Sequence, residues 1–448
     1  MNNKGAKLFR LAAVMMILTL VLAACGKAAE TKEDGQDDTP QAGKKVSLRF
    51  ATVWGPGDSK YNYFKPLFDK FAEENKDRVE ITFETARPED FKTKIKVDLA
   101  SNNLPDIFTY WGGSTLKPIV DADALVTVDE YLSKSTKIKK EQFSDSAWGY
   151  YTLGGTAYGI PVEATHPAMI ANRELFEQYN LEYPKTYEDL KHVAEVFNSN
   201  GIIPFAMASK GGQPASFWFS ELYNQFGNAE QELKDMGTTW NFATDNALKT
   251  ATLIDEMRTL NMFPKDTMAN GDWGPALQLY TDGKAAMTYT YPWMFEFISD
   301  ELQASTDIIP MPMMPDATRD PATFVSGFTL FGFVMNKKSF DDPDKQQILV
   351  ELADMLASDE MMNELTKSGM LPAKNIEFDR SNLKPIFNNM LDFAADLDHT
   401  PVHYTTIPDD NALTAYQSLL DELLVGVTTP QQYVDKVQAA LDKGKPKQ

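Results

Sequence analysis

Residues 46–110 carry the pattern that most restricts the fold. Val46, Leu48 and Phe50 alternate with polar residues, as do Val79, Ile81 and Phe83. Ile107-Phe108-Thr109-Tyr110 is a third short run. Period-two alternation marks strands, and the segments between them repeat at helical spacing: Phe64, Leu67, Phe68 and Phe71, then Phe91, Ile95 and Leu99. Strand, helix, strand, helix, strand reads as an α/β fold with a largely parallel open sheet. Ligands of such sheets sit beyond the carboxyl ends of the strands. Those ends here carry Trp54, Glu84 and Trp111, with Asp58 just past the Gly55-Pro56-Gly57 break.

Farther on, Thr186-Tyr187-Glu188-Asp189 has the form of a capping box ahead of Leu190, Val193 and Phe197, and Gly201 is placed to stop that helix. Helical patterns return at 247–260, 344–366 and 430–442. A body of roughly 400 residues exceeds what one core supports and predicts two domains.

The N-terminus predicts where the chain goes. Lys4, Lys7 and Arg10 precede a short apolar run, Leu11 to Leu22, that ends in Leu22-Ala23-Ala24-Cys25. A membrane span needs about 20 apolar residues, whereas a short run closed by small residues marks a signal peptide. The Leu-Ala-Ala-Cys string resembles the lipobox of bacterial lipoproteins, which implies residues 1–24 as signal and Cys25 as the lipidated new N-terminus. Cys25 is the one cysteine in 448 residues, so no internal disulfide is available. Residues 26–45 lack large apolar side chains and read as a flexible tether. Processing would leave 424 residues, 448 less 24, and remove three basic side chains from a net charge of −21. So acidic a chain disfavours nucleic acid or an anionic lipid surface as a partner.

Several strings, in order, resemble the bacterial extracellular solute-binding proteins of the maltodextrin-binding type. They are Asn103-Leu104-Pro105-Asp106-Ile107-Phe108; Tyr158-Gly159-Ile160-Pro161-Val162-Glu163; Asn172-Arg173-Glu174-Leu175-Phe176 with Pro184-Lys185-Thr186-Tyr187-Glu188-Asp189-Leu190; Gly283-Lys284-Ala285-Ala286-Met287 followed by Pro292-Trp293-Met294; and Ser368-Gly369-Met370-Leu371-Pro372-Ala373. Tyr187 stands where the family usually has tryptophan. The resemblance implies a two-lobe periplasmic-binding-protein fold of type II, with open sheets flanked by helices and a ligand cleft between the lobes. It implies a first lobe of 46–161 with 308–357 and a second of 162–307 with 358–448. It further implies a monomer, anchored on the extracytoplasmic face of the cell membrane, that hands a carbohydrate to the permease subunits of an ABC importer. No cofactor is implied, and the chain has no G-x-x-x-x-G-K-[ST] nucleotide loop.

A sugar offers an apolar face for aromatic rings and a rim of hydroxyls for carboxylates and amides. The candidate ligand-binding residues are Trp54, Asp58, Glu84, Trp111, Glu163, His166, Trp218, Trp240, Asp272, Trp273 and Trp293. Trp293 follows the Gly-Lys-Ala-Ala-Met strand, which in relatives leads to a stacking ring. Trp111 precedes Gly112-Gly113, where backbone can approach a ligand. The alternative for each tryptophan is a packing role, strongest for Trp218 and Trp240, and for Asp272 a helix cap. Other chemistry lacks its motif. His399 and His403 flank Pro401, which disfavours the helix that a zinc pair would share, and there is no G-x-S-x-G elbow. Pro310-Met311-Pro312-Met313-Met314-Pro315 resembles the family's Pro-rich entry to the second crossover strand, which is preferred to a copper site. Two alternatives stay open: a secreted glycoside hydrolase, which needs two placed carboxylates, and a surface lipoprotein that presents ligand to a sensor.

Overall fold

The computed structural model describes residues 45–446 apart from 144, 211–212, 270, 272, 327–328, 396, 398–400 and 402. Lys45–Gln448 form one compact unit. The signal, Cys25 and the tether lie outside the described residues, as do Asp272 and His399.

The strands are β1 (Val46–Thr52), β2 (Val79–Thr85), β3 (Ile107–Tyr110), β4 (Thr152–Leu153), β5 (Thr156–Ala157), β6 (Ile160–Thr165), β7 (Ala168–Asn172), β8 (Ile203–Ala206), β9 (Ala285–Thr290), β10 (Thr306–Ile309), β11 (Thr329–Met335) and β12 (Leu371–Pro372). The helices that matter below are α1 (Tyr61–Glu74), α2 (Pro88–Ala100), α3 (Tyr187–Ser199), α4 (Ala215–Tyr223), α5 (Asp245–Thr259), α6 (Trp273–Thr281), α7 (Pro343–Leu356), α8 (Asp359–Thr366), α9 (Pro385–Ala395), α10 (Asp410–Leu424) and α11 (Pro430–Gly444).

Two lobes result, each built on its own sheet. The first sheet has the order β12-β6-β11-β3-β1-β2, the second β10-β7-β9-β8. The elements expected at 46–110 all form, with β1 parallel to β2 and β3. The sheets are nevertheless mixed rather than largely parallel. β11 runs antiparallel to both β3 and β6, and β7 runs antiparallel to β9 and β10. The cause is connectivity: β6 leads straight into β7 across the lobes, and β10 returns through β11, so the crossing strands run against their neighbours.

The capping box at α3 is present as read. The Asp189 amide donates to Thr186 Oγ1 at 3.2 Å, and Asp189 Oδ2 accepts from the Thr186 amide at 2.9 Å. Gly201 follows with φ +74. The 344–366 pattern is two helices rather than one, because Ser358 Oγ accepts from the Met361 amide and caps α8 afresh.

The sheets also divide at other places than the bounds drawn on the sequence. Val162–Thr165 stay in the first sheet with β6. Residues 358–373, assigned by sequence to the second lobe, pack with the first: Met361, Met362, Leu365 and Ala373 join its core, and β12 pairs with β6. The amphipathic pattern of α8 specifies that a face is buried but not against which sheet.

The Pro-Asp string has a structural role. Asp106 is buried; its Oδ2 accepts from the Arg49 amide at 2.6 Å and its Oδ1 from Lys345 Nζ at 2.7 Å. It thereby ties β1, β3 and α7 together. In the second lobe, successive β7 residues face opposite cores: Met169 and Ala171 one, Ala168 and Ile170 the other.

Candidate functional site

The facing ends of the two sheets converge on one group of aromatic and charged side chains. On the first lobe the Gly55–Lys60 turn makes an Asx turn, with Asp58 Oδ1 accepting from the Lys60 amide at 2.9 Å. This places both side chains at the start of α1, where Lys60 Nζ lies 3.6 Å from Asp58 Oδ1. Glu163 sits on β6 opposite Phe331 of β11. A bulge follows at Phe331/Gly332, where a Cβ on Gly332 would stand 2.0 Å from the Ile160 carbonyl oxygen, so glycine is required. The Phe331 ring is 5.6 Å from Trp54 and 5.2 Å from Trp111.

On the second lobe, Tyr291 and Trp293 stack at 4.1 Å and 9°, and the Trp273 ring is edge-on to both at 5.3 and 6.0 Å. Trp273 Nε1 donates to Gln213 Oε1 at 3.1 Å, and Phe217 continues the cluster. Lys60 joins the lobes: its Nζ is 5.7 Å from the Trp293 ring centre, and Glu163 is the second carboxylate to act on it.

The electrostatics of this group follow from burial. Glu163 is 5% exposed. Burial pushes its carboxyl up to about 8; Lys60 pulls it back and Asp58 pushes it further. Burial pulls Lys60 down, but Asp58 and Glu163 more than offset this and leave it above its ordinary value. At neutral pH the cluster is therefore a Lys60–Asp58 ion pair beside a protonated Glu163, with no net charge. His166, three residues after Glu163, is drawn down to about 4 by burial and is neutral.

Several buried polar atoms at these strand ends have no hydrogen-bond partner among the described residues: Trp54 Nε1, Ser114 Oγ, Glu163 Oε2, Thr165 Oγ1 and Thr290 Oγ1. Each such atom costs about 1–3 kcal/mol while unsatisfied. Glu163 and Thr165 share one face of β6 by strand alternation.

Asp58, Trp111, Glu163, Trp273 and Trp293 thus fall in or beside this group, while Trp54 is 1% exposed in the first core and backs it through Phe64 and Phe331. The structure does not bring three other candidates to it. Trp218 is 1% exposed inside the second core, 4.4 Å from Phe205 and 5.6 Å from Tyr289. Its tryptophan is there for volume. Trp240 is the left-handed cap residue (φ 52) ending the helix Ala229–Thr239, and its carbonyl accepts from Gln438 Nε2 at 2.9 Å. Glu84 spends both oxygens on Arg49 and Lys94; burial alone would raise it, but these two partners hold it below the usual carboxylate range. Gly112 serves the fold rather than a ligand, since a Cβ there would lie 2.2 Å from the Tyr150 carbonyl oxygen.

Sequence reasoning missed Lys60, Tyr291 and Phe331. Lys60 carried a signal, a basic side chain in the turn after the first strand. Phe331 carried none, since it reads as one more apolar strand residue. Among the described residues no group of three or more His, Cys, Asp or Glu could hold a metal, and no helix is long and apolar enough to cross a membrane.

The family model described as "Bacterial extracellular solute-binding protein" matches residues 55–363, more than half the chain. The chain belongs to that family. This solute-binding protein is 21% identical to the multiple sugar-binding protein of Streptococcus mutans over 313 residues, covering 66% of this chain and 67% of that one. It is 24% identical to the fructooligosaccharide ABC transporter substrate-binding protein FusA of Streptococcus pneumoniae, over 64% of this chain and 58% of the relative. Among solved structures, a chitin oligosaccharide binding protein superposes with a TM-score of 0.77 at 21% identity, covering 89% of this chain and 98% of that one. The maltose/maltodextrin-binding domain MalE from Bdellovibrio bacteriovorus, bound to maltotriose, does so with a TM-score of 0.68 at 19% identity, covering 89% and 99%. These structural likenesses are of fold. The named relatives are binding proteins.

Proposed function

We propose that this protein is the extracytoplasmic substrate-binding component of an ABC importer, and that it captures an uncharged carbohydrate without turning it over. The observation that carries this reading is the set of unpartnered buried atoms on the strand ends that lead to the Lys60–Trp293 contact: Glu163 Oε2 and Thr165 Oγ1 on β6 and Thr290 Oγ1 on β9. A sugar supplies hydroxyls for those atoms and a C–H face for the ring. The Lys60–Asp58 pair and a neutral Glu163 leave no unpaired charge among these three, which favours a neutral sugar over a uronate or an amino sugar. The relatives that this chain resembles are binding proteins, which supports capture without turnover.

In this reading the lobes close about the crossing strands, and the loaded protein docks as a monomer on the permease. Cys25 carries the lipid, and residues 26–45 tether the body to the outer face of the membrane. The names of the sugar-binding relatives support the substrate class.

The test is a thermal shift of the chain from residue 46 onward against neutral, acidic and amino sugars of one to five units. A ligand at about 1,000 times its Kd adds roughly 4 kcal/mol. One strong neutral-sugar hit, recovered intact, is the expected result. Degradation of the hit would turn the reading to a hydrolase. A preference for uronates would sink the neutral-cleft argument.

A further inference from the structure

The two lobes touch at a second place. Lys96 lies on α2, whose Phe91 and Ile95 are buried in the first core. Asp410 opens α10, whose Ala412, Leu413 and Tyr416 are buried in the second core. Lys96 Nζ donates to Asp410 Oδ2 at 2.6 Å. The two residues are 314 positions apart and their helices pack into different cores, so this bond crosses from lobe to lobe.

Beside it, the turn Gly113–Thr115 packs against Tyr404–Thr406. Both sides of that contact are held rigidly. The Gly113 amide donates to the Tyr150 carbonyl at 2.9 Å, and Gly113 takes φ +61, which favours glycine. Opposite, the Tyr404 amide donates to Ser220 Oγ at 3.2 Å, and its ring stacks on Tyr416 at 5.3 Å and 15°. Tyr404 is close enough to Tyr150 to push that phenol further up, beyond the rise that burial causes.

We propose that Lys96 and Asp410, backed by the Gly113–Thr115 and Tyr404–Thr406 contact, form a clasp that favours the closed arrangement of the lobes before any solute binds. Neither side chain is the main anchor of its own helix. Lys96 is 53% exposed and Asp410 35%, and each helix is anchored by other residues. Asp410 is also favoured where it stands by the positive end of the α10 dipole, so the acid is pre-placed for its partner. An exposed pair of this kind is weak and screened by salt, which suits a clasp that must release. The proposal rests on the two-lobe fold and not on the identity of the solute, so a failed sugar panel leaves it standing.

The test is solute-free. One fluorophore is attached to each lobe of the chain from residue 46 onward, and the closed-to-open ratio is read by single-molecule energy transfer. At low salt K96A and D410A should each lower that ratio about two- to fivefold. K96E should lower it further, and K96E/D410K should recover it. Raising salt to about 1 M, where the Debye length is about 3 Å, should bring wild type to the level of the single variants. K96A should melt with wild type, since Lys96 is 53% exposed, whereas D410A also loses a favourable charge at the α10 N-terminus and should melt slightly lower. Coincident ratios in all variants, or a charge swap no better than K96E, would overturn the clasp. Should a charge reversal prevent folding, Lys96→Gln and Asp410→Asn carry the same prediction without it.

Discussion

Replacing Glu163 with glutamine tests the electrostatic reading of the cleft without any sugar. In the unfolded chain this carboxyl ionises near 4.5, and burial moves it to about 8 in the fold. Between those values the folded protein holds a proton that the unfolded chain has released. Stability from this group is thus fully present below pH 4.5 and is lost as the pH rises through 8. His166 acts the other way. Its folded value of about 4 lies below the ordinary 6.5, so its contribution is present above 6.5 and lost on acidification through 4. His166 is common to wild type and a Glu163 variant and drops out of their difference, which leaves a window of about 1.5 pH units, from 6.5 to 8, for the carboxyl. At about 1.4 kcal/mol per unit, Glu163 should cost the wild type about 2 kcal/mol across it.

Glu163→Gln keeps the shape and cannot ionise. Urea unfolding of the two proteins, followed by tryptophan fluorescence at pH 6.5, 7.0, 7.5 and 8.0, should therefore show a shallower decline in the variant by about that amount. Glu221 keeps part of the slope in both proteins. It is buried on α4, accepts from the Ser326 amide at 2.6 Å, and is pushed to about 8 by burial. Parallel declines in wild type and variant would show that Glu163 is ionised in the fold, and the neutral-cleft argument would fall with it.

Two tryptophans should separate packing from binding. Trp218→Ala should destabilise the second lobe by about 3–5 kcal/mol while the folded fraction keeps its sugar affinity. Trp293→Ala should cost at least about tenfold in affinity, read by titration calorimetry with the sugar hit, and less in melting temperature. Gly112→Ala drives a methyl to 2.2 Å from the Tyr150 carbonyl oxygen and should destabilise the first lobe by about 1–3 kcal/mol in urea. If Cys25 carries the lipid, Cys25→Ala should move the protein from the membrane pellet to the soluble fraction; retention in the pellet would refute the anchor.

Local order along the chain was legible from residues alone. The alternation at Val46-Leu48-Phe50, the spacing of Phe64 to Phe71, and the Thr186–Asp189 cap depend on backbone geometry within a few residues, and each appears where it was read. The family strings led to the fold class for the same reason, since each is a short stretch with its own local geometry. Trp293 and Glu163 were found through those strings.

Other decisions belong to the tertiary structure. Whether α8 packs on the first sheet or the second depends on a surface hundreds of residues away in the chain, and an amphipathic pattern says nothing of its partner. Trp218 and Trp293 are the same residue type in equally aromatic contexts. One fills a core, and the other lies beside a lysine from the opposite lobe. Glu84 and Glu163 both lie on strands of the first sheet, yet one meets Arg49 and Lys94 and stays ionised, while the other is buried near a single shared lysine and holds its proton. Charge state, burial and cross-lobe contact are set by what the fold brings within a few ångströms, and sequence spacing carries no record of that distance.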